Sequence, residues 1–174
     1  WITEMRRLTD KPFGIDTTIP SAVPDRAASN EEIWEQIPQT HKDFVARLKQ
    51  EWGVPDPGEP LLDSPAQLPY TQELFRKQME VILDLQPTAY VSGLGNPAPF
   101  VKDLHSRCIL VGALVGAARH ARRVAEGGVD LVIAQGTESA GHCPWVGGLA
   151  ILPTAMRAAA EINPDILVAY AGGI

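Results

Sequence analysis

The feature that most constrains the fold is a pair of unbroken apolar runs, Ile109-Leu110-Val111 and Leu131-Val132-Ile133, separated by an Ala-rich helical segment. A strand with one solvated face alternates polar and apolar residues. A run with no polar member reads as a strand covered on both faces, as in a parallel sheet flanked by helices. The alternation continues on either side. Residues 88–92 read as a strand and 97–104 as a helix, with Asn96 as N-cap and Pro97 at the first helical position. Residues 108–114 are a strand, 116–127 a helix closed by Gly127-Gly128, 130–135 a strand, 149–160 a helix and 166–170 a strand. The repeating βα unit, one in roughly 20–25 residues, predicts an α/β fold with a parallel sheet.

The N-terminal half has another character. Twelve of the fifteen prolines lie at or before Pro99, whereas twelve of the fifteen glycines lie from Gly93 onward. Residues 1–87 hold nine Lys+Arg against fifteen Asp+Glu and so carry the whole net charge of −6. A short helix over 2–8 stops at Thr9-Asp10-Lys11-Pro12, and 13–19 reads as a strand rich in β-branched residues. Residues 20–28 read as loop, and Ser29 with Glu32 as a capping box for a helix that Pro38 ends. The next helix begins at Thr40, puts Phe44, Leu48 and Trp52 on one face and stops at Gly53. Five prolines between 54 and 69 exclude regular structure there. Thr71 opens a helix whose Leu74, Phe75, Met79, Ile82 and Leu83 read as ordinary packing residues. The expected organisation is one incomplete domain over 1–174, its first half surface helices and Pro-rich connections.

The acidic balance, pI near 5.2, argues against nucleic acid or an anionic membrane as partner. The longest apolar stretch, residues 108–118, is well short of the roughly 20 residues of a spanning helix. Trp1 opens no basic-then-apolar leader, and two cysteines, Cys108 and Cys143, make no disulfide framework, so a reducing cytoplasm is expected. A start at Trp1 and a stop straight after an apolar run read as part of a longer product.

In parallel α/β folds the functional loops follow the carboxyl ends of strands. Three such loops are glycine-rich: 93–97, 136–142 and 171–173. Glycine lets backbone approach a ligand closely, and free N–H groups suit a phosphate. Three on one rim point to a small, phosphate-bearing ligand, although none matches a Walker A or dinucleotide fingerprint. His142, with Glu138 four residues earlier, could serve as a general base near neutral pH. His41, His105 and His120 fall in predicted helices and read as surface residues. Ser139 lacks the Gly-x-Ser-x-Gly setting of a nucleophile, Glu138 reads as a loop-anchoring acceptor, and His142-Cys143 lacks a third ligand, so no metal site is expected.

Four segments then match a known family in order: Lys11-Pro12-Phe13-Gly14-Ile15-Asp16, Ser92-Gly93-Leu94-Gly95-Asn96-Pro97, Ala134-Gln135-Gly136-Thr137-Glu138-Ser139-Ala140-Gly141-His142, and Ala171-Gly172-Gly173-Ile174. Together they resemble the nitronate monooxygenases, formerly 2-nitropropane dioxygenases, FMN enzymes on a TIM barrel. The resemblance covers nearly the whole chain, with residues 20–70 looking like a helical, Pro-rich insertion found in a subset of members, and the Ala-Gln-Gly-x-Glu-x-x-Gly-His segment is its most specific part. It implies a partial (β/α)8 barrel supplying the third to seventh strands. It implies FMN as cofactor, touched by Asp16, Gln135, Gly136, Ala140 and Gly141, with its phosphate on Gly172 and Gly173, and His142 as the catalytic residue. A small nitronate or nitroalkane and dioxygen would be the substrates, and a homo-oligomer is compatible. Three positions depart from the family's usual pattern: Asp16 where many members have Asn, Ala140 in place of a glycine, and Cys143-Pro144-Trp145 after the histidine. The alternatives are an FMN-dependent enoyl-thioester (enoyl-ACP) reductase, which resembles the family in the same loops, and a non-catalytic barrel binding a phosphate ligand.

Overall fold

Five strands lie side by side in chain order, every neighbouring pair parallel: β1 (Gly14–Thr18), β2 (Ala89–Leu94), β3 (Leu110–Val115), β4 (Leu131–Gln135) and β5 (Leu167–Ala171). The computed structural model describes residues 1–19, 30–55 and 71–173. Its helices are α1 (Ile2–Leu8), α2 (Asn30–Gln36), α3 (Gln39–Trp52), α4 (Gln72–Leu85), α5 (Ala98–His105), α6 (Ala118–Glu126) and α7 (Gly148–Ala160). They divide into two units, Trp1–Ala22 with Phe75–Ile174, and Val23–Leu74.

In the first unit, parallel neighbours in sequential order require crossovers, which are right-handed as a rule. Crossovers of one hand that always step in the same direction leave every helix on one side of the sheet. The burial pattern agrees. Tyr90 and Ser92 in β2, Val111, Ala113 and Val115 in β3, and Val132 and Ala134 in β4 are buried. They share a core with Phe75, Met79 and Ile82 of α4, Leu104 of α5, Val124 of α6 and Ile151 of α7. The intervening residues Asp16, Leu110, Leu167, Ala169 and Ala171 are exposed. Helices therefore cover one face, not both as the apolar runs suggested: Leu110 is 55% and Leu167 67% exposed. The reason is topological. In a singly wound sheet the second face looks into a barrel, where side chains from other strands fill the interior. The unit is five successive βα modules of a (β/α)8 barrel, a partial TIM barrel.

Element ends follow local chemistry. Asn96 Oδ1 accepts the Ala98 N–H at 3.1 Å and so caps α5, and Thr71 Oγ1 accepts the Leu74 N–H at 3.1 Å at the start of α4. Strand β3 starts two residues later than expected because Cys108 closes α5. Its φ is +57, and the Ile109 N–H reaches back to the Leu104 carbonyl at 3.1 Å, a Schellman turn in the place usually given to glycine. Gln86, with φ +47, ends α4 in the same conformation, and the Arg6 guanidinium donates to the Leu85 and Gln86 carbonyls. The 89–94 strand runs on through Gly93, which the sequence placed in a loop. Thr17 pairs with Ser92 and Thr18 with Leu94, so Gly93 is an extra residue in the ladder.

In the second unit, α3 ends where expected: Gly53 has φ +62 and the Val54 N–H bonds the Lys49 carbonyl at 2.9 Å. No residue of α3 is buried, and the expected apolar face leaves Phe44 and Trp52 exposed. Lys42 Nζ lies 4.9 Å from the Trp34 ring centroid. Ser29 of the expected capping box, the 20–28 loop and most of the proline-rich run lie outside the described residues. No helix among the described residues is long and apolar enough to cross a membrane.

Candidate active site

The rim formed by the carboxyl ends of the strands is dominated by the loop from β4 to α7, residues 136–147. Its base is tied: the Thr137 N–H donates to the Val146 carbonyl at 3.0 Å. Ser139 Oγ donates to the Gly136 carbonyl at 2.7 Å, and the Cys143 thiol to the Ser139 carbonyl at 2.8 Å. Pro144 packs over the end of β3, where a Cβ on Gly116 would come within 2.7 Å of the proline Cβ. Between these ties the tip, Ala140-Gly141-His142, is exposed. Gly141 has φ +78 and open space where its Cβ would stand. The His142 imidazole makes no hydrogen bond to any described residue. Trp145, three residues on, is fully exposed.

Glu138 is the hub of the loop's attachment. Its Oε1 accepts the Gly148 N–H at 2.8 Å and the Tyr170 hydroxyl at 2.7 Å. The Tyr170 hydroxyl, helped by the backbone N–H groups of Glu138 and Gly148, holds the carboxyl below its ordinary range. In return the carboxylate pushes the Tyr170 phenol up. The Tyr170 oxygen also lies 3.0 Å from the Gly172 carbonyl.

Gly172 and Gly173 stand after β5 with φ of +93 and +71. The space their Cβ atoms would need is taken by the protein itself. A Cβ on Gly172 would be 2.6 Å from Ser139 Cβ, and one on Gly173 would be 2.7 Å from the Glu138 carbonyl oxygen. A Cβ on Gly136 would overlap the Gly148 nitrogen and the Glu138 carboxylate. Glycines read from sequence as openings for a ligand are thus also the means by which two rim loops approach each other.

Gln135 ends β4 opposite Ala171, is half-buried, and its amide bonds no described residue. The structure brings Gln135, Gly136, Gly172 and Gly173 together around Glu138 and Ser139, with Ala140, Gly141 and His142 on the tip of the same loop. Asp16 is not part of that group. It lies inside β1 opposite Val91, where the absence of a Cβ on Gly93 makes room for its carboxylate, 2.8 Å from that position. Desolvation raises the Asp16 carboxyl above its ordinary value, opposed by the Gly93 N–H that bonds it. Sequence reasoning missed Tyr170 and Gly148. A tyrosine at the end of an apolar strand and a second glycine opening a helix were the available signals. A cavity of about 410 Å³, lined among others by Arg6, Lys11, Phe13 and Thr88, opens at the opposite ends of the strands.

A family model of nitronate monooxygenase matches residues 1–174. A Mycobacterium tuberculosis protein named as a monooxygenase, Rv1533, is 33% identical over 179 residues, covering 100% of this chain and 46% of that protein. A 5-hydroxy-7a-methyl-1-oxo-octahydro-1H-indene-4-carboxyl-CoA dehydrogenase of Rhodococcus jostii is 38% identical over 73 residues, 42% of this chain and 19% of that enzyme. The chain thus spans less than half the length of these relatives. Among solved structures, the nitroalkane oxidase of Streptomyces ansochromogenes superposes with a TM-score of 0.67 at 22% identity, over 99% of this chain and 46% of that one. FabK of Thermotoga maritima gives 0.61 at 24% identity, over 99% and 38%. At such identities the two superpositions speak for the fold, and the sequence match over all 174 residues speaks for the lineage. The chain belongs to the nitronate monooxygenase family.

Proposed function

We propose that the protein carrying this chain is an FMN-dependent nitronate monooxygenase, which converts alkyl nitronates or nitroalkanes to carbonyl compounds and nitrite with dioxygen as oxidant. The observation that carries this reading is the His142 imidazole, exposed and free of hydrogen bonds to described residues on a tied loop at the rim. Such a group is available to a substrate. The donor set suits a flavin: the Gln135 amide offers two N–H donors and an acceptor to a heteroaromatic edge, and Gly141 on the loop that follows has open space where a Cβ would stand. In this reading Gln135, Gly136, Ala140 and Gly141 hold the ring system, Asp16 reaches it separately from β1, and Gly172 and Gly173 present backbone to the phosphate. Ala140 has no left-handed backbone, so its methyl sits without strain. FMN, when bound, supplies the electron transfer and the reaction with dioxygen.

His142 does the proton chemistry. A nitro group makes the adjacent C–H acidic, and the neutral imidazole takes that proton, leaving the nitronate. A substrate that arrives as the nitronate needs only a hydrogen bond from the same ring. General-base catalysis contributes about 10²–10⁴-fold. His142→Asn should therefore lose nitroalkane turnover by about that factor and nitronate turnover far less. Equal losses on both substrates would remove the base assignment.

A second reading, an FMN-dependent enoyl-thioester reductase, is supported by the thioester in the name of the Rhodococcus relative. Oxidation of NAD(P)H with an enoyl thioester, and no nitrite from a nitronate, would favour it. FMN binding with turnover of neither substrate would leave a phosphate-ligand-binding barrel.

A further inference from the structure

One carboxylate of the loop that displays His142 hydrogen-bonds both α7 and β5, and the surrounding sequence is arranged to admit it. Gly136, Gly148 and Gly173 all lack a side chain where one would strike the Glu138 carboxylate, its backbone or its partner. A Cβ on Gly173 would stand 2.6 Å from Glu138 Cγ, and one on Gly148 would run into the Tyr170 hydroxyl. In the space so cleared, Glu138 Oε1 accepts from Gly148, the first residue of α7, and from Tyr170, the penultimate residue of β5. Three elements meet at that oxygen: the His142 loop, the first turn of α7 and the rim of β5. A carboxylate at the start of a helix is also favoured by the helix dipole. Glu138 is exposed and outside the core, whereas the Tyr170 ring is half-buried and packs against the core's edge, packing that a phenylalanine retains.

We infer that Glu138 and Tyr170 are positioning residues, a latch that holds the His142 loop at a fixed angle to the Gly172-Gly173 rim. The consequence for catalysis rests on the reading of His142 given above; the latch itself rests on the two hydrogen bonds. Cys143 closes the turn on the far side of His142 by bonding Ser139, so the loop is held before and after the histidine, and freeing Glu138 releases one side of it.

The test uses the full-length flavin-loaded protein with Tyr170→Phe, which keeps the ring, and with Glu138→Ala and Glu138→Gln. Amide hydrogen exchange over residues 137–148 should quicken about tenfold in Tyr170→Phe and in Glu138→Ala, with residues 110–115 unchanged. The kcat for a nitroalkane should fall about tenfold in the same variants with KM little changed, because a misplaced base slows proton transfer more than it weakens binding. Glu138→Gln, which can still accept from Gly148, should recover part of both losses. Unchanged exchange over 137–148 in Tyr170→Phe and Glu138→Ala overturns the latch, as does exchange that rises equally across the sheet. Locally faster exchange in a protein whose wild type turns over no nitro compound keeps the latch and sinks the proposed function. Unchanged exchange beside active wild-type turnover does the reverse.

Discussion

Replacing Gly172 with alanine separates two explanations of the rim glycines. If the glycine serves the approach of the two rim loops, the variant is destabilised before any flavin is present. The backbone at Gly172 has φ +93, and an L side chain in left-handed backbone costs about 1–2 kcal/mol. The new Cβ would also sit 2.6 Å from Ser139 Cβ. Carbon atoms prefer about 3.5–4.0 Å, so the loops must part by about 1 Å, and overpacking of this kind costs about 1–3 kcal/mol. The expected total is about 2–5 kcal/mol. Gly141→Ala is the matched control: its φ is +78, but no atom lies within 4 Å of the new methyl, so only the backbone cost of about 1–2 kcal/mol applies. Urea denaturation of the flavin-free protein reads both. Gly172→Ala should unfold at a clearly lower midpoint than Gly141→Ala, the gap corresponding to about 1–3 kcal/mol. If the two variants match without flavin and differ only in flavin affinity, the loop-approach argument is refuted and the ligand alone explains Gly172.

Two further outcomes follow from burial and charge. Asp16 has its folded-state pKa raised by desolvation, so its favourable contribution is complete below the ordinary 3.8 and is lost as pH rises through the raised value. At pH 7 the ionised carboxylate is a net cost, and Asp16→Asn, which keeps an acceptor for the Gly93 N–H, should raise the denaturation midpoint there and bring no gain near pH 3; an equal effect at both pH values contradicts the cause. Leu104 is 0% exposed at the centre of the helix-side core, so Leu104→Ala should lower the unfolding free energy by about 2–5 kcal/mol, and a loss below 1 kcal/mol in urea titrations would mean the site collapses around the missing atoms.

Much of this architecture is local in origin. The apolar runs at Ile109 and Leu131, the stop at Gly53 and the cap at Asn96 each act within a few residues, and strands and helices form about where those signals stand. The order of the βα units is likewise carried by the chain itself, and parallel pairing follows from it. His142 stood out as a candidate from its place in a strand-end loop, whereas Gln135 became one only through the family resemblance. What the sequence alone does not carry is which atom occupies the space a glycine leaves. Gly172 and Gly173 were read as openings for a phosphate; that Ser139 and Glu138 stand where their Cβ atoms would be was not legible, since it depends on the register that sets Gln135 against Ala171. The partnership of Glu138 with Tyr170 spans 32 residues and comes from the same register. The covered face of the sheet was likewise undecided, since Leu110 and Val111 are equally apolar and only the direction of winding buries one and exposes the other. Propensity and capping act over a turn of chain, whereas crowding, desolvation and long-range hydrogen bonds exist only once distant segments have been brought together.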